Sequence, residues 1–398
     1  MPTPWIERDI SRLFTETPPA LRLFPVWLLL GPRQVGKSSL LRRHAKPERR
    51  FVDLDDLATR QRANADPVLF GRELEPPLAI DEIQYAPSLL SAVKSIADKG
   101  AAPRSIWITG SQSFEVMRGV RETLAGRVAI LGLHGLTDAE KGVEAAAPAP
   151  YFDALCGSAF PALHGVSDEQ SRSLYLSSYV ATYIERDVRE LLGIQKRREF
   201  ELFLKVCALR TGQLVNYDEL GRASGVSAVT AKEWLGLLED SFVVKLCRPY
   251  HANRSKRLVK SPKLYFLDAG LAAYLAGWRD PEMARLGPMG GALFETHVFA
   301  NLLRSFSNRL VDGEVHFFRT KDGSEIDFLV EARGAVQPIE VKMGQPSARE
   351  LPRLEKIRGA NWKPGVVVSL AHRGPELPAL TDEWRIGSPA FVGALVPG

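Results

Sequence analysis

Gly31-Pro32-Arg33-Gln34-Val35-Gly36-Lys37-Ser38, the run GPRQVGKS, decides the reading of the first third of this chain. It fits the spacing GxxxxGK[ST] and has the context that the spacing requires. Val26–Leu30 (VWLLL) before it reads as a buried strand, and Ser38 to His44 reads as the start of a helix. Glycines in such a turn let successive backbone N–H groups point into one concavity, and the helix N-terminus adds the positive end of its dipole. Gly31 to Ser39 is therefore the expected cradle for the phosphates of ATP, with Lys37 reaching the β- and γ-phosphates and the Ser38 hydroxyl on Mg²⁺. A chance match in a glycine-rich turn is the competing reading, and the flanking strand and helix count against it.

Further short apolar runs follow at Phe51–Leu54, Leu78–Ile80, Ser105–Thr109 and Val128–Leu131, with helical text between several of them. Strands alternating with helices predict an α/β fold with a mostly parallel sheet. Leu78-Ala79-Ile80-Asp81-Glu82 ends a strand on two acids. Asp81 is placed to face Mg²⁺, and Glu82 to orient and deprotonate the attacking water. Trp107-Ile108-Thr109-Gly110-Ser111-Gln112 ends another strand on polar residues. Ser111 or Gln112 is expected between the γ-phosphate and that water, a capped turn being the plainer alternative. Of Arg118, Arg121 and Arg127, Arg127 in Leu124-Ala125-Gly126-Arg127 is the candidate cation supplied to a neighbouring subunit's phosphate; a surface arginine is the alternative.

The chain has 398 residues, enough for two to four domains, and its 45% hydrophobic and 25% charged residues are ordinary for a globular protein. A net charge of +5 is a mild basic excess, so its distribution matters more than its size. The three cysteines lack metal-ligand spacing and are odd in number, which argues against a disulfide framework and fits a reducing cytoplasm. No signal-peptide pattern opens the chain and no apolar stretch is long enough for a bilayer, so no membrane role is expected.

Gly142–Pro150 (GVEAAAPAP) reads as a boundary. The expected organisation is an ATPase domain over 1–150, a helical linker or lid over 151–198, a winged-helix module over 199–285 and a nuclease-like domain over 286–398. Within the third stretch, Phe200–Leu209, Asn216–Ala223 and Ser227–Leu238 read as helices around a Gly225-Val226-Ser227 turn. Phe242–Leu246 and Lys263–Leu267 read as paired strands, and Arg248, His251, Arg254, Lys256, Arg257 and Lys260 run between them almost without acids. This predicts DNA contact, the third helix in a groove and the basic run (Arg248, Arg254, Lys256, Arg257, Lys260) along phosphates. The alternative is a protein-contact module with a solvated basic loop.

Near the C-terminus, Glu295 lies on a predicted helix (Leu293–Leu303) and Asp327 on a predicted strand (Glu325–Val330). Pro338-Ile339-Glu340-Val341-Lys342 then reads as a second strand. Strand alternation puts Glu340 and Lys342 on one face, beside Asp327. Two carboxylates on adjacent strands suit Mg²⁺, a lysine alongside suits water activation, and Glu295 would complete or adjust the metal shell. A surface ion pair is the plain reading of Glu-x-Lys alone.

Together GPRQVGKS, IDEIQ, TGSQ and LAGR resemble the AAA-family ATPases of bacteria and archaea that carry a C-terminal domain of unknown function. Tyr183–Asp187, Gly212-Gln213-Leu214, Ser261–Asp268 and the Glu-Ile-Asp and Ile-Glu-Val-Lys strands match that domain's usual features, so the resemblance covers nearly the whole chain. It implies an AAA+ core, a winged helix and a restriction-endonuclease-like (PD-(D/E)XK) fold. It also implies assembly as a homo-oligomeric ring. Ser38 stands where threonine is commoner, and Ile326 stands where the nuclease pattern has proline. The expected function is an oligomeric, DNA-remodelling ATPase with a possible metal-dependent endonuclease. The alternative is an ATP-dependent switch or protein-remodelling ATPase whose nuclease-like domain binds without cutting.

Overall fold

The five apolar runs of the N-terminal part become strands β1 (Val26–Leu30), β2 (Arg50–Asp53), β3 (Leu78–Asp81), β4 (Ile106–Gly110) and β5 (Val128–Gly132). They form one sheet in the order β2-β3-β4-β1-β5, with every pairing parallel. A parallel sheet is covered on both faces, so its central strands are apolar without alternation. β1, β3 and β4 are buried along their whole length. Leu28, Ile80 and Ile108 share a core with Leu89 and Val93 of helix Leu89–Asp98 and Val116 of helix Ser113–Thr123, each such side chain contributing about 1.5–3 kcal/mol on burial.

The computed structural model describes residues 5–111, 113–143, 147–184, 197–250, 261–319, 325–354, 359, 361–374 and 376–396. It divides into two compact units, Met1–His134 with Asp240–Phe242, and Gly135–Glu239 with Val243–Gly398. The division thus falls ahead of Gly142–Pro150. Among the described residues no helix is long and apolar enough to cross a membrane.

In the second unit the helices around the Gly225 turn run Arg197–Leu209, Tyr217–Ser224 and Ala228–Asp240. Asn216 caps the second through the amides of Asp218 and Glu219, Gly225 ends it in a left-handed conformation, and Ser227 Oγ accepts from Thr230 N at the start of the third. β6 (Val244–Pro249) pairs antiparallel with β7 (Lys263–Phe266). β6 also pairs in parallel with β8 (Gly313–Arg319), through Arg248 opposite His316 and Pro249 opposite Phe317. β9 (Glu325–Ala332), β10 (Ala335–Lys342), β11 (Gly365–Ser369) and β12 (Trp384–Gly387) complete a seven-stranded sheet, ordered β12-β11-β10-β9-β8-β6-β7. β8, β9 and β10 form an antiparallel meander, and β11 joins β10 in parallel. The long helix Gly290–Arg309 precedes the meander. His297 Nε2 lies 2.9 Å from the buried Asp138 Oδ1, a contact that ties this helix to the segment after Thr137.

Candidate functional site: a phosphate-binding loop and an acidic cluster

The register of the first sheet sets Leu30 opposite both Gly110 and Gly132. The loop after β1, the acids ending β3 and the polar residues ending β4 therefore meet at one edge, the C-terminal edge where open parallel sheets bind ligands. Gly31 touches the exit of β5 there: a Cβ on Gly31 would sit 1.8 Å from the Leu133 carbonyl oxygen. Gly36 has φ +92°, a left-handed conformation, and nothing lies within 4 Å of where its Cβ would be. Gln34 is also left-handed, at φ 64°. Such alternation curls a chain so that its amides converge.

Lys37 is buried and donates from Nζ to the carbonyls of Gly31 (3.0 Å) and Pro32 (2.8 Å). Val35 and Pro32 are buried, Gly36 and Ser38 half-buried, and Ser39 is exposed. Arg33 reaches Tyr85 Oη at 3.3 Å. Ser38 Oγ donates to Asp81 Oδ1 at 2.9 Å, and the Thr109 hydroxyl donates to the same oxygen. Burial pushes the Asp81 carboxyl up from its ordinary range, against the opposing pull of the Thr109 and Ser38 hydroxyls. A buried carboxylate and hydroxyl side by side are hard oxygen donors of the kind Mg²⁺ takes when phosphates and water supply the rest.

Glu82 has φ 57° and ψ 53°, a conformation that non-glycine residues seldom adopt and that collects at functional sites. Its amide donates to Thr109 Oγ1 at 2.9 Å. Its Oε2 accepts from Ser111 Oγ at 3.0 Å and from the Gln84 amide, which also donates to Ser111 Oγ at 2.9 Å. Thr109 and Gln84 lie inside the runs quoted from the sequence, yet nothing in spacing alone distinguishes them as partners. Gln112 is outside the described residues. Arg127 precedes β5 at the opposite edge of the sheet, since Val128 pairs with Val26, and its guanidinium is bonded to Asp98 and to the Ala125 carbonyl.

In the second unit, β9 and β10 bring Asp327 and Glu340 together. The Asp327 amide donates to Glu340 Oε1 at 3.3 Å, and the Val341 amide donates to Asp327 Oδ2 at 2.8 Å. Lys342 Nζ lies 2.9 Å from Glu340 Oε2. Glu295 faces the same carboxylates but is held by Lys263 Nζ at 3.2 Å and by the Tyr265 hydroxyl. Lys263 also contacts Glu325 at 2.5 Å. Burial, then the charge of Asp327, raises Glu295 to about 7 and Glu340 to about 8; burial likewise raises Asp327. Lys342 moves up, burial being outweighed by Glu340. Among the described residues no three His, Cys, Asp or Glu side chains stand close enough together to hold a metal ion, so Glu295, Asp327 and Glu340 are neighbours without being a formed ligand set. Lys263 and Tyr265 lie in the run SPKLYFLD, whose apolar alternation reads only as a strand.

Arg248 is exposed at β6, while His251, Arg254, Lys256, Arg257 and Lys260 lie outside the described residues, as do Glu185, Arg186 and Asp187. Helix Ala228–Asp240 exposes Val229, Lys232 and Glu233. Residues 216–240 carry Asp218, Glu219, Glu233, Glu239 and Asp240 against Arg222 and Lys232.

Residues 24–141 match the family model for an AAA domain. Residues 149–282 match a domain of unknown function (DUF8612), and residues 290–384 another (DUF4143). An uncharacterised protein of Mycobacterium bovis and one of Mycobacterium tuberculosis are each 34% identical to this chain over 332 residues, which is 81% of this chain and 71% of the relative. The chain belongs to this AAA-domain family. As an AAA-domain protein it is a nucleotide-hydrolysing ATPase by class, and the P-loop, the β3 acids and the β4 end all lie within the matched residues. A solved structure of a Vibrio cholerae protein aligns with the AAA-domain ATPase across 93% of this chain and 96% of its own, at 12% identity and a TM-score of 0.21.

Proposed function

We propose that the chain is a Mg²⁺-dependent ATPase of the AAA+ type that works on DNA as a homo-oligomer. The observation that carries the ATPase part is the meeting of Ser38, Asp81, Thr109 and Glu82 at the tip of the P-loop. In this reading the amides from Gly31 to Ser39, with Lys37, hold the ATP phosphates. Ser38 and Asp81 would hold Mg²⁺, which their paired oxygens fit. When bound, the ion would neutralise charge on the phosphoryl oxygens. Glu82 accepts a proton from the attacking water, and Ser111 fixes the Glu82 carboxylate through its hydroxyl. Arg127 serves a neighbouring subunit after leaving Asp98, and the subunits close a ring.

For the second unit we propose a nuclease-like domain. Support comes from a helix followed by a three-stranded meander and a parallel strand, with Glu295, Asp327, Glu340 and Lys342 on adjoining elements. The DNA contact falls to Arg248 and the basic run through Lys260 rather than to helix Ala228–Asp240, because the acid excess of residues 216–240 would repel phosphates.

That acid excess also favours a second reading, a nucleotide switch or protein-remodelling ATPase whose nuclease-like domain binds without cutting. Lys263 and Lys342, already paired within the cluster, point the same way. ATP turnover with duplex, branched and single-stranded DNA separates the two. Stimulation by DNA that weakens steeply with salt supports the first reading; a rate indifferent to all three DNAs sinks it.

A further inference from the structure

Arg8, outside every motif in the sequence, is buried to 6% exposure and places its guanidinium against the P-loop. One terminal nitrogen donates to the Val35 carbonyl at 2.8 Å, the other to the His134 carbonyl at 2.7 Å. We propose that Arg8 is a positioning residue for the nucleotide site, holding the Val35–Gly36 peptide in the orientation that phosphate binding needs. The inference rests on the reading of this loop as the phosphate cradle.

A trans peptide is planar, and its C=O and N–H point in opposite directions. A guanidinium that fixes the Val35 carbonyl therefore turns the Gly36 N–H away from Arg8. That is the side left to the phosphates, and the space that a Gly36 side chain would fill is open as well. The second bond has a matching consequence. His134 follows Leu133, whose carbonyl packs on Gly31 and whose amide donates to the Leu30 carbonyl at 2.7 Å. Arg8 thus ties the far side of the loop to the strand exit that supports its near side. The planar fork of arginine offers two directed donors for this, where lysine offers a single ammonium. The segment carrying Arg8 is itself anchored: Ile10 is fully buried, and Phe14 packs on Trp27 at 5.4 Å and Trp107 at 5.1 Å.

Because the β-phosphate occupies the cradle before, during and after hydrolysis, losing this preset weakens ground state and transition state alike. The test measures ADP affinity and steady-state ATP hydrolysis on the full chain, with Arg8→Ala, Arg8→Lys and, as a packing control, Phe14→Leu. Arg8→Ala is expected to raise the ADP Kd and the ATP KM by about tenfold while kcat stays within about twofold, and Arg8→Lys to recover part of that loss. Phe14→Leu is expected to lower the Tm and leave both constants alone. Three results overturn the inference: ADP binding unchanged in Arg8→Ala, a fall in kcat at constant KM, or an equal loss of affinity in Phe14→Leu. Should Arg8→Ala fail to fold, an Arg8→Lys chain with wild-type ADP affinity overturns it equally. A wild-type chain that binds no ADP sinks the cradle reading as well, so the two failures are distinct.

Discussion

Ser38 Oγ and Asp81 Oδ1 stand 2.9 Å apart, joining the first turn of helix Lys37–His44 to the end of β3. The Thr109 hydroxyl approaches the same carboxylate oxygen from β4. Three consecutive positions in space, though scattered in sequence, thus turn oxygen atoms toward one point. Neighbouring Glu82 faces Ser111 and Gln84 instead.

This arrangement separates holding from cutting. Asp81→Asn and Lys37→Ala should abolish ATP turnover, and Lys37→Ala should also remove nucleotide binding. Glu82→Gln keeps the contacts to Ser111 and Gln84, so ATP affinity should persist while kcat falls about 10²- to 10⁴-fold. Equilibrium binding beside a turnover assay checks this, and a Glu82→Gln enzyme with wild-type kcat would remove Glu82 from the chemistry.

Gly31→Ala should be destructive. Its Cβ would meet the Leu133 backbone oxygen at 1.8 Å, which no side-chain rotation relieves. The loop or β5 exit must shift, so a lower Tm and lost ADP binding are expected. Gly36→Ala, with open space but φ +92°, should fold more nearly normally and still bind poorly.

The sequence reveals much of the first unit because its signals are local. VWLLL, LAID and IWITG are unbroken apolar runs ending on polar residues, and strand ends are where a parallel sheet collects its chemistry. What it conceals is contact between distant segments. Arg8 bonds to a carbonyl 27 positions away and to another 126 away, and any arginine in a polar stretch looks the same. Lys263 and Tyr265 read as strand residues because their partner Glu295 comes from a helix about 30 residues later. Among the described residues the link from β6 to β8 rests on two residue pairs, below any pattern a sequence can show.

Stability without divalent cations should fall as pH rises. Glu340 titrates at about 8 and Glu295 at about 7 in the folded chain, both above the ordinary 4.5. The folded state therefore binds more protons than the unfolded state between pH 4.5 and about 8, and stability slopes downward with pH through that window. Below it the contribution is fully present, and above it the loss is complete. Thermal melts across pH, compared with Glu340→Gln, measure this; a variant with the same slope as wild type would exclude Glu340 as its source.

Any Mg²⁺- or Mn²⁺-dependent nicking of DNA should disappear in Lys342→Ala, which strips the lysine partner from the buried Glu340. A loss of at least about 10²-fold is expected for a group acting on the water or the phosphate. Nicking that survives in Lys342→Ala comes from elsewhere.

If the basic run tracks phosphates, each neutralised arginine at 254 or 257 should flatten the plot of log affinity against log salt by about one unit, uniformly across DNA sequences. Lys232→Ala on helix Ala228–Asp240 should leave that slope alone. The reverse outcome would move the contact onto the helix.

The sheet of the second unit is hydrogen-bonded from β7 to β12, with β6 joined to β8 at Arg248 and Pro249. A fragment cut at residue 286 would leave behind β6 and β7 and bare the backbone edge of β8, inviting it to pair with a stranger's strand. Tension applied to β7 reaches the strands carrying Asp327 and Glu340 only through the two-pair join of β6 to β8, so that join is where the plate should yield first.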